Sequence, residues 1–183
     1  MRFDKLGGMF IGEQDWERLR SYLSADFRQG PGVEQAPKVV FALVSSLVSP
    51  DEIVTGHSDY VPAQSTTTWR TWILTHTSIA YVEVLFDAEL YTSEAESLQG
   101  QYREKPPQLK VVAAWVRPMS DVSGLEIEAV SQVLLDGWFV SLARLRFRGH
   151  TELFDLPSQQ GLHGDQRVRS DAFYRELRDR IFN

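Results

Sequence analysis

Apolar positions in the first fifty residues recur with the period of a helix. Trp16, Leu19, Leu23 and Phe27 fall on one helical face, while Glu17, Arg18 and Arg20 lie elsewhere. Gln29-Gly30-Pro31-Gly32 is a stop signal. Pro37 has no N–H to leave unsatisfied in a first turn, so it suits the start of a second helix over Lys38 to Val48, ended by Ser49-Pro50. A buried strand competes for the same run, because it is crowded with valines and periodicity does not separate the two.

Beyond Pro50 the pattern changes to the period of strands. Thr66 to Thr75 is rich in threonine and tryptophan, and Ile79 to Phe86 in apolar residues. Only His76-Thr77-Ser78 separates them, which is a hairpin by loop length. A weak strand is expected at Ile53 to Tyr60. The polar stretch from Asp87 to Gln108, with Gly100 and Pro106-Pro107, reads as a long mobile loop with a helical turn near Ser93 to Glu96. Strands resume at Leu109 to Val116, and at Leu125 to Val130, where alternation puts Glu126 and Glu128 on one face. Asp136-Gly137 turns the chain into Trp138 to Phe147. There Phe139, Ala143, Leu145 and Phe147 face one way, and Arg144, Arg146 and Arg148 the other. Thr151 to Leu156 is a last strand, stopped by Pro157. Ser170 or Asp171 then caps a final helix that buries Phe173, Leu177 and Ile181.

About seven strands followed by one helix define an α+β chain of mostly antiparallel sheet. Residues 1–50 read as an N-terminal helical extension, and 51–183 as the β domain with its C-terminal helix. The hairpin Trp72-Ile73-Leu74-Thr75-His76-Thr77-Ser78-Ile79-Ala80-Tyr81 and the closing Asp171-Ala172-Phe173-Tyr174-Arg175-Glu176-Leu177 are similar to those of bacterial pleckstrin-homology-like domains. That resemblance implies a two-sheet barrel capped by the last helix. It also implies a binding or adaptor role through protein contacts rather than catalysis. Lipid headgroup binding in such a domain needs basic residues in the first hairpin, and this one offers only Arg70 and His76.

Composition narrows the function classes. With 43% hydrophobic and 24% charged residues the chain has the balance of a folded domain. It contains no cysteine, which excludes a disulfide framework and thiol catalysis and fits a reducing cytoplasm. The apolar run Val39 to Val44 is too short to span a bilayer, so a soluble protein is expected. Net charge is −6, with 5 Lys/Arg against 13 Asp/Glu in residues 51–140 and 8 against 6 in residues 141–183. That acidity disfavours nucleic acid as a partner.

The residues that stand out are weak carriers of chemistry. Arg144, Arg146 and Arg148 form a stripe able to hold an anion, but Glu126 and Glu128 share their spacing on the preceding strand, and cross-strand ion pairing is the favoured reading. Trp69 and Trp72 point to opposite faces of one strand, so one of them is a candidate partner anchor; packing against the N-terminal helices is the simpler expectation. Arg70 and His76 complete the set of candidate contacts. His57-Ser58-Asp59 is no triad, since neighbours in a strand point apart. His76, His150 and His163 lack helical zinc spacing, and the glycines match no nucleotide motif. The expected protein is a non-catalytic module with no metal or cofactor, an unidentified protein partner and self-association into a dimer as one route. Its competitors are a small barrel enzyme or ligand carrier with Tyr81, Tyr91 and His76 in an aromatic cavity, and an acidic inhibitor of a basic protein.

Overall fold

The structure, a computed structural model, describes residues 12–26, 33–133, 137–162 and 164–182. Phe27, the stop at 29–32, Asp136 and His163 lie outside these. The first helical pattern is realised as α1 (Glu13–Tyr22), with Leu19 fully buried. Ser24–Asp26 (β1) then leaves the helix and pairs antiparallel with Val33–Gln35 (β2), a small ribbon that the periodicity did not announce. The ambiguous run is a helix, α2 (Lys38–Leu47), with Pro37 as its N-cap. Its valines have no helix preference of their own. The helix persists because Val40, Phe41 and Val44 bury one face of it against a sheet.

That sheet is an antiparallel meander of β3 (Ile53–Pro62), β4 (Thr67–Thr75), β5 (Ser78–Phe86) and β6 (Leu109–Pro118), in that order. The weak strand expected at Ile53 to Tyr60 is a full one of ten residues that runs on to Pro62. In the stretch 87–108 the helical turn expected near Ser93 to Glu96 is a full ten-residue helix, α3 (Ser93–Tyr102). Thr92 caps α3 by accepting from the Ala95 N–H at 3.3 Å, and Arg103 ends it in the left-handed region at φ 55°. Glu96 of α3 in turn accepts from the Lys38 N–H at 3.0 Å, satisfying a free donor at the start of α2. Helix α3 buries no residue fully, which is why no apolar stripe betrayed it.

A second meander follows: β7 (Val122–Val133), β8 (Gly137–Phe147) and β9 (Leu153–Asp155). The last helix, α4 (Gly164–Phe182), starts six residues before the expected cap at Ser170. Ser170 is buried in mid-helix instead. The extra turns are held by α1 and β1: Gln166 Nε2 and Arg169 Nη1 each donate to Ser24 Oγ at 3.1 Å, and Arg169 also donates to the Ser21 carbonyl. Tertiary contact outweighs the local capping preference.

The first sheet is the central layer. On one face Trp69, Ile73, Ala80, Val82, Val84 and Phe86 pack with Leu19, Leu23, Val40, Phe41 and Val44 from the N-terminal segment. On the other, Trp72, Leu74, Ile79 and Tyr81 pack with Leu145, Phe147, Phe173 and Leu177 from the second sheet and α4. Gly56 marks where α1 comes closest, since a Cβ there would stand 2.6 Å from Ile73 Cδ1 and 3.2 Å from Tyr22 Cβ. Ser58 Oγ donates to the Tyr22 carbonyl at 2.8 Å beside it. Helix α4 touches both β3 and β7, and so closes that side of the two sheets. On the other side, Trp115 of β6 meets Phe147 and Phe154 of the second sheet.

Candidate binding cleft

The arginine stripe is paired as the cross-strand reading expects. Arg144 donates to Glu128 at 2.7 Å and to Asp155 at 2.9 Å, and Arg146 to Glu126 at 3.0 Å. The hydrogen bond to Asp155 and the Glu128 charge hold the Arg144 guanidinium above its ordinary pKa. These pairs solvate the outer face of the second sheet and leave little for a bound anion. Arg148 is exposed and forms no ion pair among the described residues. Trp69 and Trp72 do point to opposite faces, but both are fully buried because both faces of the sheet are covered. Neither is a surface anchor. Trp69 stacks on Tyr60 with ring centroids 4.8 Å apart, and its Nε1 donates to the Tyr91 carbonyl at 2.9 Å.

Arg70 lies on the β4 face that Trp72 shares, 3.2 Å from Glu83 of β5. Burial works against its charge, but Glu83, with Tyr81 and Asp59, outweighs that and raises its pKa. Tyr81 Oη donates to the other oxygen of Glu83 at 2.7 Å. His76 sits exposed in the β4–β5 turn. Tyr91 belongs to the core on the helical side and Tyr81 to the opposite one. The three polar candidates of an aromatic cavity therefore do not converge. Among the described residues no cluster of three or more His, Asp or Glu could hold a metal ion. No helix of the described residues is long and apolar enough to cross a membrane.

The buried tyrosines make stability sensitive to high pH. Burial, with help from Glu34 and Glu89, pushes the Tyr60 hydroxyl up to about 12. Burial and then Glu83 raise Tyr81, and burial and then Asp59 raise Tyr174. The folded state thus keeps protons that the unfolded chain releases near the ordinary tyrosine value of 10.0. Their contribution is complete below that pH and is lost as pH rises towards the folded values. Urea unfolding should show these tyrosines adding no slope up to about pH 10, then a fall of up to about 1.4 kcal/mol per pH unit for each tyrosine. A stability unchanged between pH 9 and 11.5 would contradict it.

The second sheet and α4 leave an open cleft of about 590 Å³ between them. Leu125 and Ile127 of β7, Val140 of β8, and Tyr174 and Phe182 of α4 form its apolar walls. Alternation along β7 turns Leu125 and Ile127 into the cleft and Glu126 and Glu128 to the paired outer face. The back is braced. Gln159 Oε1 accepts from the Val140 N–H at 2.8 Å, and its Nε2 donates to Asp171 at 2.7 Å. Arg167 donates to the same carboxylate at 3.1 Å, and Tyr174 Oη to the Pro157 carbonyl at 2.7 Å. The front is open: Ile127 is 55% exposed and Phe182 73%. Arg175 and Arg178 form one rim. Arg178 is bound to the adjacent Asp179, while Arg175 forms no ion pair among the described residues. Among the described residues β7 pairs with β8 alone, leaving its other edge without a strand beside the cleft.

None of the cleft residues is among the candidate contact residues of the sequence analysis. Leu125 and Ile127 were legible as one face of a strand. What covers that face was not, because it depends on where α4 crosses. Comparison with protein-family models, curated proteins and solved structures gives no match to this chain. Its architecture defines its class: an α+β protein of two antiparallel meanders and a two-stranded ribbon, with helices on the outer face of the first meander and a C-terminal helix closing one side of the two.

Proposed function

We propose that this chain is a non-catalytic binding module that takes an extended segment of a partner protein into the cleft between β7 and α4. The observation that carries this reading is a free strand edge lying beside an apolar cleft whose flanking residues, Ile127 and Phe182, are exposed. A segment laid along β7 gains main-chain hydrogen bonds, and its alternate side chains enter the cleft. Arg175 on the rim favours a segment with a carboxylate beside its apolar residues. The order of a four-stranded meander, a three-stranded meander and a C-terminal helix supports a pleckstrin-homology-like kinship for residues 53–182. Cysteine-free composition accords with residence in the cytoplasm.

The test begins with selection of binders from a displayed library of random peptides. Affinities of the enriched peptides are then measured for the parent protein and for Ile127→Asp, with Arg148→Ala as control. Ile127→Asp places a charge at an exposed position in the cleft mouth, so it should weaken binding about tenfold or more while leaving the fold intact. Arg148→Ala should change nothing. Failure to enrich any peptide, or equal binding by Ile127→Asp, would refute the reading.

A further inference from the structure

Strand β6 is a ten-residue edge with β5 on one side and, among the described residues, no strand on the other. Edges of this length are usually blunted by charge, proline or a covering segment. Here the proline comes only at the end, at Pro118, and Leu109, Val111, Val112 and Val116 stand 41–49% exposed. A bulge sets the phase of the strand: Glu83 faces Ala113 and Val84 faces Val111, leaving Val112 as the extra residue. Lys110 and Arg117 are seven positions apart and in a regular strand would point to opposite faces. With the bulge, Lys110 lies beside Leu85 and Arg117 beside Ile79, two residues on the same face of β5.

Both cations therefore share one face, and β6 contains no carboxylate to balance them. The Arg117 guanidinium carbon is 4.7 Å from the ring centres of both Trp115 and Phe147 and 5.5 Å from that of Phe154. Its Nη1 is buried without a hydrogen-bond partner. Aromatic faces hold the charge in place but accept no regular hydrogen bond, so the group is oriented and its bonding capacity unmet.

We infer that β6 is a second docking edge, which takes an extended partner segment of aliphatic residues with carboxylates placed to meet Lys110 and Arg117. Charge selects this occupant over a second copy of the chain. Two β6 strands paired together would bring cations to cations, with no carboxylate between them. An acidic, aliphatic strand adds a ladder to the sheet, covers Val112, Ala114 and Val116, and brings negative charge beside Lys110 and Arg117. The inference stands independently of the β7 cleft. With both edges occupied, the molecule would join two segments.

The test uses the full chain, isotope-labelled for NMR, and three blocked nine-residue peptides of alternating valine and threonine. They carry glutamate, glutamine or lysine near each end. The glutamate peptide should bind tightest and the lysine peptide weakest, with about two- to fivefold in Kd for each charge pair gained. Amide shifts should centre on 109–118. R117E should abolish that order, because Lys110 still favours glutamate at one end while the introduced carboxylate repels it at the other; K110E with R117E should invert it. K110E, at an exposed position, reads the same preference if R117E does not fold. Equal affinities, no binding, shifts confined to β7 and α4, or a self-associated protein with β6 amides already protected would each overturn the inference. Because the two sites report on different amides, failure here leaves the cleft reading to its own test.

Discussion

A chain beginning at Asp51 should not fold as a cooperative unit, although it keeps both meanders and α4. Removal of the preceding residues strips one face of the first sheet of Leu19, Leu23, Val40, Phe41 and Val44, all at most 2% exposed. Burying each side chain of this kind contributes about 1.5–3 kcal/mol. Five of them together approach the 5–15 kcal/mol that is typical of a whole domain. The loss would also uncover Trp69, Ile73, Val82, Val84 and Phe86 as a broad apolar surface. The expected result is a poorly soluble product without a sigmoidal urea transition, whereas the full chain gives a single one. A truncated chain that unfolds cooperatively with near-parental stability would show the N-terminal layer to be an accessory.

Replacement of either core tryptophan by alanine should cost about 3–5 kcal/mol, and the two sites should differ when the replacement is phenylalanine. Trp69 Nε1 donates to the Tyr91 carbonyl, so Trp69→Phe leaves a buried acceptor unmatched and adds about 1–3 kcal/mol to the packing loss. Trp72 is held by rings alone, with centroids 4.3 Å from Tyr81 and 5.7 Å from Trp115, and its Nε1 is buried without a partner. Trp72→Phe removes an unsatisfied donor together with part of the ring, so it should be the milder change. Urea midpoints for the four variants decide this. A Trp72→Phe variant less stable than Trp69→Phe would mean that Trp72 has a hydrogen bond in solution.

The alternation that identifies strands also explains where the reading of the candidate site went astray. Alternation reports that Trp69 and Trp72 point apart, and they do. It does not report whether a face is covered, and here the helices cover one and the second sheet the other. The arginine stripe was easier, because Glu126 and Glu128 carry the matching spacing on the preceding strand, and register brought opposite charges together. The β7 cleft was beyond reach. Its walls come from positions 125 to 182, and its shape depends on where α4 crosses the sheet.

The sequence by itself determined the element types over most of the chain, since period and turn chemistry act over a few residues. The first helix, the β4–β5 hairpin, the alternation of Leu125 and Ile127 with Glu126 and Glu128, and the arginine face of β8 all follow from that local grammar. Only the tertiary structure decided that the valine-rich 38–47 is a helix, and that α4 begins at Gly164 rather than near Ser170. It also decided that 93–102 is ordered by a cap and by Glu96 reaching Lys38. In each of these the local preference is weak or points elsewhere, and burial or a hydrogen bond to a residue far along the chain outweighs it.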